Sequence, residues 1–300
     1  MTQGRHRPSP AELVDFEWER MLEPRWIEAP GTYIETLDAA VGTWNAEGTT
    51  RVLLSSAAPS ARYSPLKSEP SLFRKFAALP DTEDAFARFG EKYGCVPSIG
   101  KFLWEGEFDG WEPPHSGDTL AAWSDQRQMF ARAVRLWDAL RAGRPQDVIG
   151  TDVKAIPTQF ARGDYEVYVL YPRSAEGSSL WLMASTVPRS SSPARIVQSA
   201  LASMITFWSA ARIVLAPSQT PDGSAGLRLT YAVDDLREAL WLQLALAIDG
   251  NRRYETCPIC GDQWDATDAR SDRRTCSDNC RKYANRHGIK LEVAREAKQS

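Results

Sequence analysis

Residues 257–280 read CPICGDQWDATDARSDRRTCSDNC. Four of the chain's five cysteines stand in this stretch: Cys257 and Cys260 two residues apart, then, after fifteen residues, Cys276 and Cys280 with three between them. A Cys-x-x-Cys turn aims two sulfurs at one point, and Pro258 and Gly261 suit a tight turn there. If Asp278 or Asn279 opens a helix, Cys280 lies in its first turn and Cys276 in the loop before it, so both pairs can converge. Tetrahedral zinc takes four such thiolates at about 2.3 Å. Four cysteines close the shell and leave no position for a catalytic water, so the spacing predicts one structural Zn2+ held by Cys257, Cys260, Cys276 and Cys280. Within 257–280 only Ile259 and Trp264 are large apolar residues, too few for a core, so the metal is expected to supply the folding free energy. The fifth cysteine, Cys95, reads as a small core residue.

The rest of the chain bounds the problem. Its 300 residues, 43% hydrophobic and 25% charged, describe an ordinary globular protein with a sizeable core. The first residues, MTQGRHRPSPAELVDF, lack the apolar run of a secretory signal. The uncharged stretch 196–211 carries several Ser and Thr and reads as a buried helix, since a membrane span needs roughly 20 predominantly apolar residues. A cytoplasmic protein without a membrane partner is expected, and in a reducing cytosol clustered thiols are metal ligands before they are disulfides.

A pass along the chain predicts an α+β fold: a mostly helical mixed α/β main domain followed by a small four-cysteine finger. The expected organisation is a flexible tail over 1–15, the main domain over 16–250 with a sub-boundary near 112–118, and the finger with a basic helix over 251–300. Residues 16–60 show no clean period. From Pro65 the pattern reads as helix, around SEPSLFRKFAAL (68–79), stopped by Pro80, and Asp81 is placed as the cap of a second helix burying Ala85, Phe86, Phe89 and Tyr93, with Gly94 at its end. Asp118–Ala142 is helical, since Trp123, Phe130 and Trp137 recur every seven residues. YEVYVLYPR and SSLWLMAST flank RSAEGS as a hairpin. Helix 193–211, a hairpin from RIVLAP and GLRLTYAV, and a helix over DLREALWLQLALAIDG follow, the last apolar nearly all round and so central.

The finger sequence CPICGDQWDATDARSDRRTCSDNCRKYANRH resembles the treble-clef zinc fingers at the C-termini of many bacterial proteins. It is most similar to the CGNR-like finger of stress-induced transcription regulators, in which a mixed α/β domain precedes the finger. The resemblance implies that Cys257, Cys260, Cys276 and Cys280 are the ligands, that Trp264 packs under the knuckle and that Arg273 and Arg274 precede the second pair. It also implies a DNA-binding, transcription-regulator-like function. The chain departs from that pattern after Cys280, where Arg-Lys-Tyr-Ala-Asn-Arg-His replaces Gly-Asn-Arg.

Charge supports the same direction. The net charge of −3 hides a split: residues 1–250 hold 25 basic and 31 acidic side chains, the last fifty 11 and 8. On a helix after Cys280, Lys282, Arg286 and Lys290 form one cationic stripe, with Arg281 beside it and Arg273 and Arg274 in the preceding turn. These six are the expected nucleic-acid contacts, met through phosphate neutralisation. Cys280, Ala284, His287, Leu291 and Ala294 would form the inward face. An alternative is a zinc-stapled protein-interaction or ligand-sensing module, with partner binding or self-association through the main domain. An enzyme is the less favoured class. His6, His115 and His287 are far apart, and no phosphate loop or nucleophile elbow is present.

Overall fold

A computed structural model describes residues 18–34, 43–54, 62–96, 117–156, 165–170, 184–209, 212–219, 225–270 and 273–289, except Leu22, Asp234 and Asp268. Helices and strands are mixed throughout, with twelve strands among the described residues. The expected tail over 1–15 lies outside them, as do His6 and His115.

Residues 16–60, which carry no readable period, hold a long antiparallel pair: β2 (Arg25–Ile34) and β3 (Thr43–Leu54). A short β1 (Trp18–Glu19) precedes it and pairs with β4 (Arg62–Tyr63). The helical run predicted from Pro65 is broken in two, α1 (Pro65–Ser68) and α2 (Leu72–Ala77). The break is held by a side chain from far away. Gln243, fully buried, accepts from Phe73 N–H at 3.1 Å and donates Nε2 to the Glu69 carbonyl at 2.8 Å. It satisfies backbone groups that the interrupted helix leaves over.

Helix α3 (Glu83–Tyr93) buries the four predicted residues, Ala85, Phe86, Phe89 and Tyr93, and ends at Gly94. Its cap is Thr82 rather than Asp81: Thr82 Oγ1 accepts from Ala85 N–H at 3.4 Å. Arg51 on β3 grips Glu83 at the same end with two bonds, 2.9 and 3.1 Å, and fixes the hairpin to this helix. β5 (Gly117–Thr119) joins the edge of β3, so the stretch where a sub-boundary is expected, near 112–118, includes sheet residues. Thr119 then caps α4 (Leu120–Arg141), the longest helix. Its heptad residues Trp123, Phe130 and Trp137 are all buried.

A 3-10 turn (Pro145–Val148) leads to β6 (Val153–Ile156), a strand the sequence reading leaves out. It pairs with β7 (Tyr165–Leu170), which in turn pairs with β8 (Ala184–Pro188). Val169 pairs with Ala184, so the last residues of SSLWLMAST lie in this sheet, while its first six residues and RSAEGS lie outside the described residues. Asp152 anchors this corner to α4, accepting two bonds from Arg135 at 2.5 and 3.2 Å with Arg132 3.6 Å away. Next come α5 (Pro193–Trp208), the hairpin β9 (Arg212–Gln219) and β10 (Ala225–Ala232), and α6 (Leu236–Asp249). Asp235 caps α6 through a 2.7 Å bond from Glu238 N–H.

The core forms where α2, α3, α4, α5 and α6 meet. Trp241 of α6 is fully buried, its ring stacked on Phe130 at 4.2 Å and parallel to Trp208 at 6.5 Å. Such a ring has no room to be replaced by a smaller group without leaving a void. Trp241→Ala is therefore expected to lower the unfolding free energy by about 3–5 kcal/mol. A urea titration followed by circular dichroism measures it, and a loss below about 1 kcal/mol would contradict a central α6.

Candidate metal centre

The C-terminal unit is built on a small hairpin. β11 (Tyr254–Thr256) pairs antiparallel with β12 (Gln263–Asp265). The turn between them carries the first cysteine pair. Cys257 N–H donates to the Asp262 carbonyl and Gly261 N–H returns to the Cys257 carbonyl, both at 2.9 Å. Gly261 takes φ +76°, a conformation that side chains resist, and this lets the turn close.

The second pair is set by a helix start. Ser277 is the N-cap of α7 (Asp278–Arg286), and its Oγ accepts from Cys280 N–H at 3.3 Å. Cys280 thus lies in the first turn and Cys276 just before it. Arg273 secures the loop in front: Nε donates to the Thr275 carbonyl at 3.0 Å and Nη2 to that of Cys276 at 2.6 Å. Its guanidinium lies 4.8 Å from the centroid of the buried Trp264 ring.

Together these elements bring all four cysteine sulfurs within 4.8 Å of one another. Cys260 and Cys276 Sγ are 3.5 Å apart, Cys276 and Cys280 Sγ 3.6 Å. Both distances are far beyond an S–S bond of about 2.05 Å. They are close to the edge of a tetrahedron with sulfurs at about 2.3 Å from its centre, about 3.8 Å. The donor set therefore fits one four-coordinate metal ion. No histidine among the described residues joins the cluster; His287 stacks on Tyr283 instead, ring centroids 4.3 Å apart.

The thiols do not share one electrostatic environment. Burial pushes Cys257 up, but the backbone N–H groups of Cys276, Cys260 and Ile259 outweigh it and bring the thiol down to about 6. Burial and the neighbouring sulfurs push Cys260 well above the usual thiol range, and burial raises Cys276. Close thiolates repel, so Cys257 takes the charge while Cys260 and Cys276 keep their protons until a cation replaces them.

The expected basic contacts fall into distinct environments. Arg273 is committed inside the unit, holding the second cysteine pair. Arg274 donates to the Arg273 carbonyl at 3.3 Å, and Arg281 pairs with Asp278 at 3.2 Å. Lys282 and Arg286 are exposed and make no ion pair among the described residues. The cationic stripe is shorter than its i, i+4, i+8 spacing implies. Gly288, at φ +61°, ends the helix: Ile289 N–H bonds the Ala284 carbonyl at 2.9 Å and Gly288 N–H that of Asn285 at 3.3 Å. Lys290 lies outside the described residues, with Leu291 and Ala294.

Sequence reasoning missed the residues that join this unit to the main core. The Tyr254 hydroxyl donates to the Pro70 carbonyl at 3.2 Å, and Ser71 Oγ to that of Gln263 at 2.7 Å. The Tyr254 ring meets Phe73 edge-on at 5.5 Å and Trp137 at 6.0 Å. Arg74, paired with Asp138 at 2.6 and 3.0 Å, sits 4.9 Å from both the Tyr254 and Trp137 ring centroids. Arg141 adds a 2.7 Å bond to the Arg252 carbonyl. Separations of 111 to 192 residues leave no local signal for these contacts.

The raised Cys260 and Cys276 thiols set a pH dependence. Each holds its proton at neutral pH, so a metal must displace it, and falling pH favours the proton. Apparent Co2+ affinity is expected to drop roughly 100-fold per pH unit as pH falls from about 8 to 7. Chelator competition measures this, and a pH-independent affinity would contradict it.

Comparison of the chain with protein-family models, curated proteins and solved structures finds no match in any of the three.

Proposed function

We propose that the four cysteines hold one structural Zn2+ in a treble-clef-like finger, residues 251–300, and that the helix after them binds nucleic acid. The protein is then a cytoplasmic, transcription-regulator-like molecule whose main domain, residues 16–250, senses a ligand or self-associates. Zinc is favoured by the all-thiolate donor set at tetrahedral spacing. A structural role is favoured because the four sulfurs complete the shell. The unit's own core is small: Cys257, Trp264 and Ala266 are its buried members. Metal binding, worth on the order of 10 kcal/mol, therefore stabilises it.

The observation that carries the nucleic-acid proposal is the arrangement of α7. Its buried side holds Ala284 next to the metal ligand Cys280, which directs Lys282 and Arg286 outward, one turn apart and without acidic partners among the described residues. A cationic face of this kind meets phosphates and releases their counterions. A protein-interaction module is the second reading, favoured by the exposed Tyr283 on α7 and Ile289 just after it. No helix among the described residues is long and apolar enough to cross a membrane.

Two measurements test the proposal. Native mass spectrometry should find one zinc per chain, lost when Cys257 and Cys260 are both replaced by Ser. Duplex DNA should bind the full-length, zinc-loaded protein at low salt, with affinity falling steeply as salt rises, and the pair Lys282→Glu and Arg286→Glu should abolish binding. Absence of binding to both duplex and single-stranded DNA at low salt would reject the nucleic-acid role and leave the protein-partner reading.

A further inference from the structure

We infer that the exposed flank of α7 is a stacking surface for single-stranded nucleic acid, with Tyr283 and His287 receiving an unpaired base while Lys282 and Arg286 meet the adjoining phosphates. This inference rests on the nucleic-acid role proposed above and names the form of nucleic acid.

Tyr283 and Ile289 are the large hydrophobic side chains left exposed among the described residues, 49% and 43%. A tyrosine so open on a nine-residue helix contributes little to the finger's own packing. Its ring instead lies against His287 at 4.3 Å and 35°. Helical geometry sets the rest. Tyr283 and His287 are one turn apart and form one row along the helix; Lys282 and Arg286 form a second row about 100° round the axis. A π surface thus runs beside a pair of cations over a single turn.

That pairing suits a single strand better than a duplex. Every base offers a π face for an aromatic ring, and the backbone that carries the base passes within reach of neighbouring cations. A duplex hides its base faces in the stack, so it would engage the cationic row and leave the aromatic row in water. Charge complementarity is local to this flank: the only acid of α7, Asp278, is engaged by Arg281 at 3.2 Å. An i, i+4 ring pair also steadies an isolated helix, but that role requires no effect on binding to either nucleic acid.

The test uses the full-length, zinc-loaded protein and fluorescence anisotropy with a short labelled oligothymidylate and a labelled duplex of equal length. The wild type should bind the single strand more tightly. Tyr283→Ala should weaken single-strand binding roughly tenfold and leave the salt dependence and the duplex affinity unchanged. Tyr283→Phe should restore single-strand binding, and His287→Ala should lower it in the same direction as Tyr283→Ala. Zinc content and circular dichroism should match the wild type in all three variants. If the duplex binds at least as tightly, or if Tyr283→Ala leaves single-strand affinity intact, the stacking inference is overturned while the nucleic-acid role stands. If neither oligonucleotide binds at low salt, both fall together and the flank belongs to a protein partner.

Discussion

Arg74 holds the molecule together at its most consequential point. Its side chain is 8% exposed, and a guanidinium so far from water is tolerable only when its charge is met. Asp138 supplies the counter-charge with two oxygens, while Trp137 and Tyr254 supply π faces. Three separate parts of the chain therefore meet on one cation: α2, α4 and the first strand of the cysteine hairpin. The two aromatic faces are brought together by the same charge that would be destabilising without them. The metal centre is rooted in the main core through this group rather than hanging from a linker.

A second constraint operates beyond the hairpin. The finger has few apolar side chains, so its order is carried by sulfur geometry and by main-chain bonds from Arg273, Ser277 and Gly261. Helix α7 inherits its orientation from Cys280. Once that residue and Ala284 face inward, the 3.6-residue period assigns every other position of the helix to solvent. The outward display of Lys282, Tyr283 and Arg286 is a by-product of where the sulfur has to be.

What was legible in the sequence had local causes. The cysteine spacing marked the cluster, the seven-residue recurrence of Trp123, Phe130 and Trp137 marked α4, and Gly94 marked the end of α3. The cap of α3 was misplaced by one at Thr82, because the neighbouring Asp81 has the same capping chemistry. The β2–β3 pair escaped notice since its strands lack a clean alternation, and β6 is only four residues long. Gly288 was a readable stop signal for α7, overlooked because the basic spacing continued past it to Lys290. Gln243 and Tyr254 were beyond reach in principle. Their partners lie 174 and 184 residues away, and nothing in their own neighbourhoods distinguishes them from ordinary helix and strand residues.

The bonds that join the cysteine unit to the body share one further property. Tyr254, Ser71 and Arg141 all donate to main-chain oxygens, those of Pro70, Gln263 and Arg252. A carbonyl is present whatever side chain its residue carries. The acceptor side of each of these three contacts can drift freely through evolution without loosening the joint, so these bonds leave no correlated pair of substitutions behind. A survey of relatives that looks for residues changing in concert would miss them, although a change in backbone position on either side would be transmitted directly to the other.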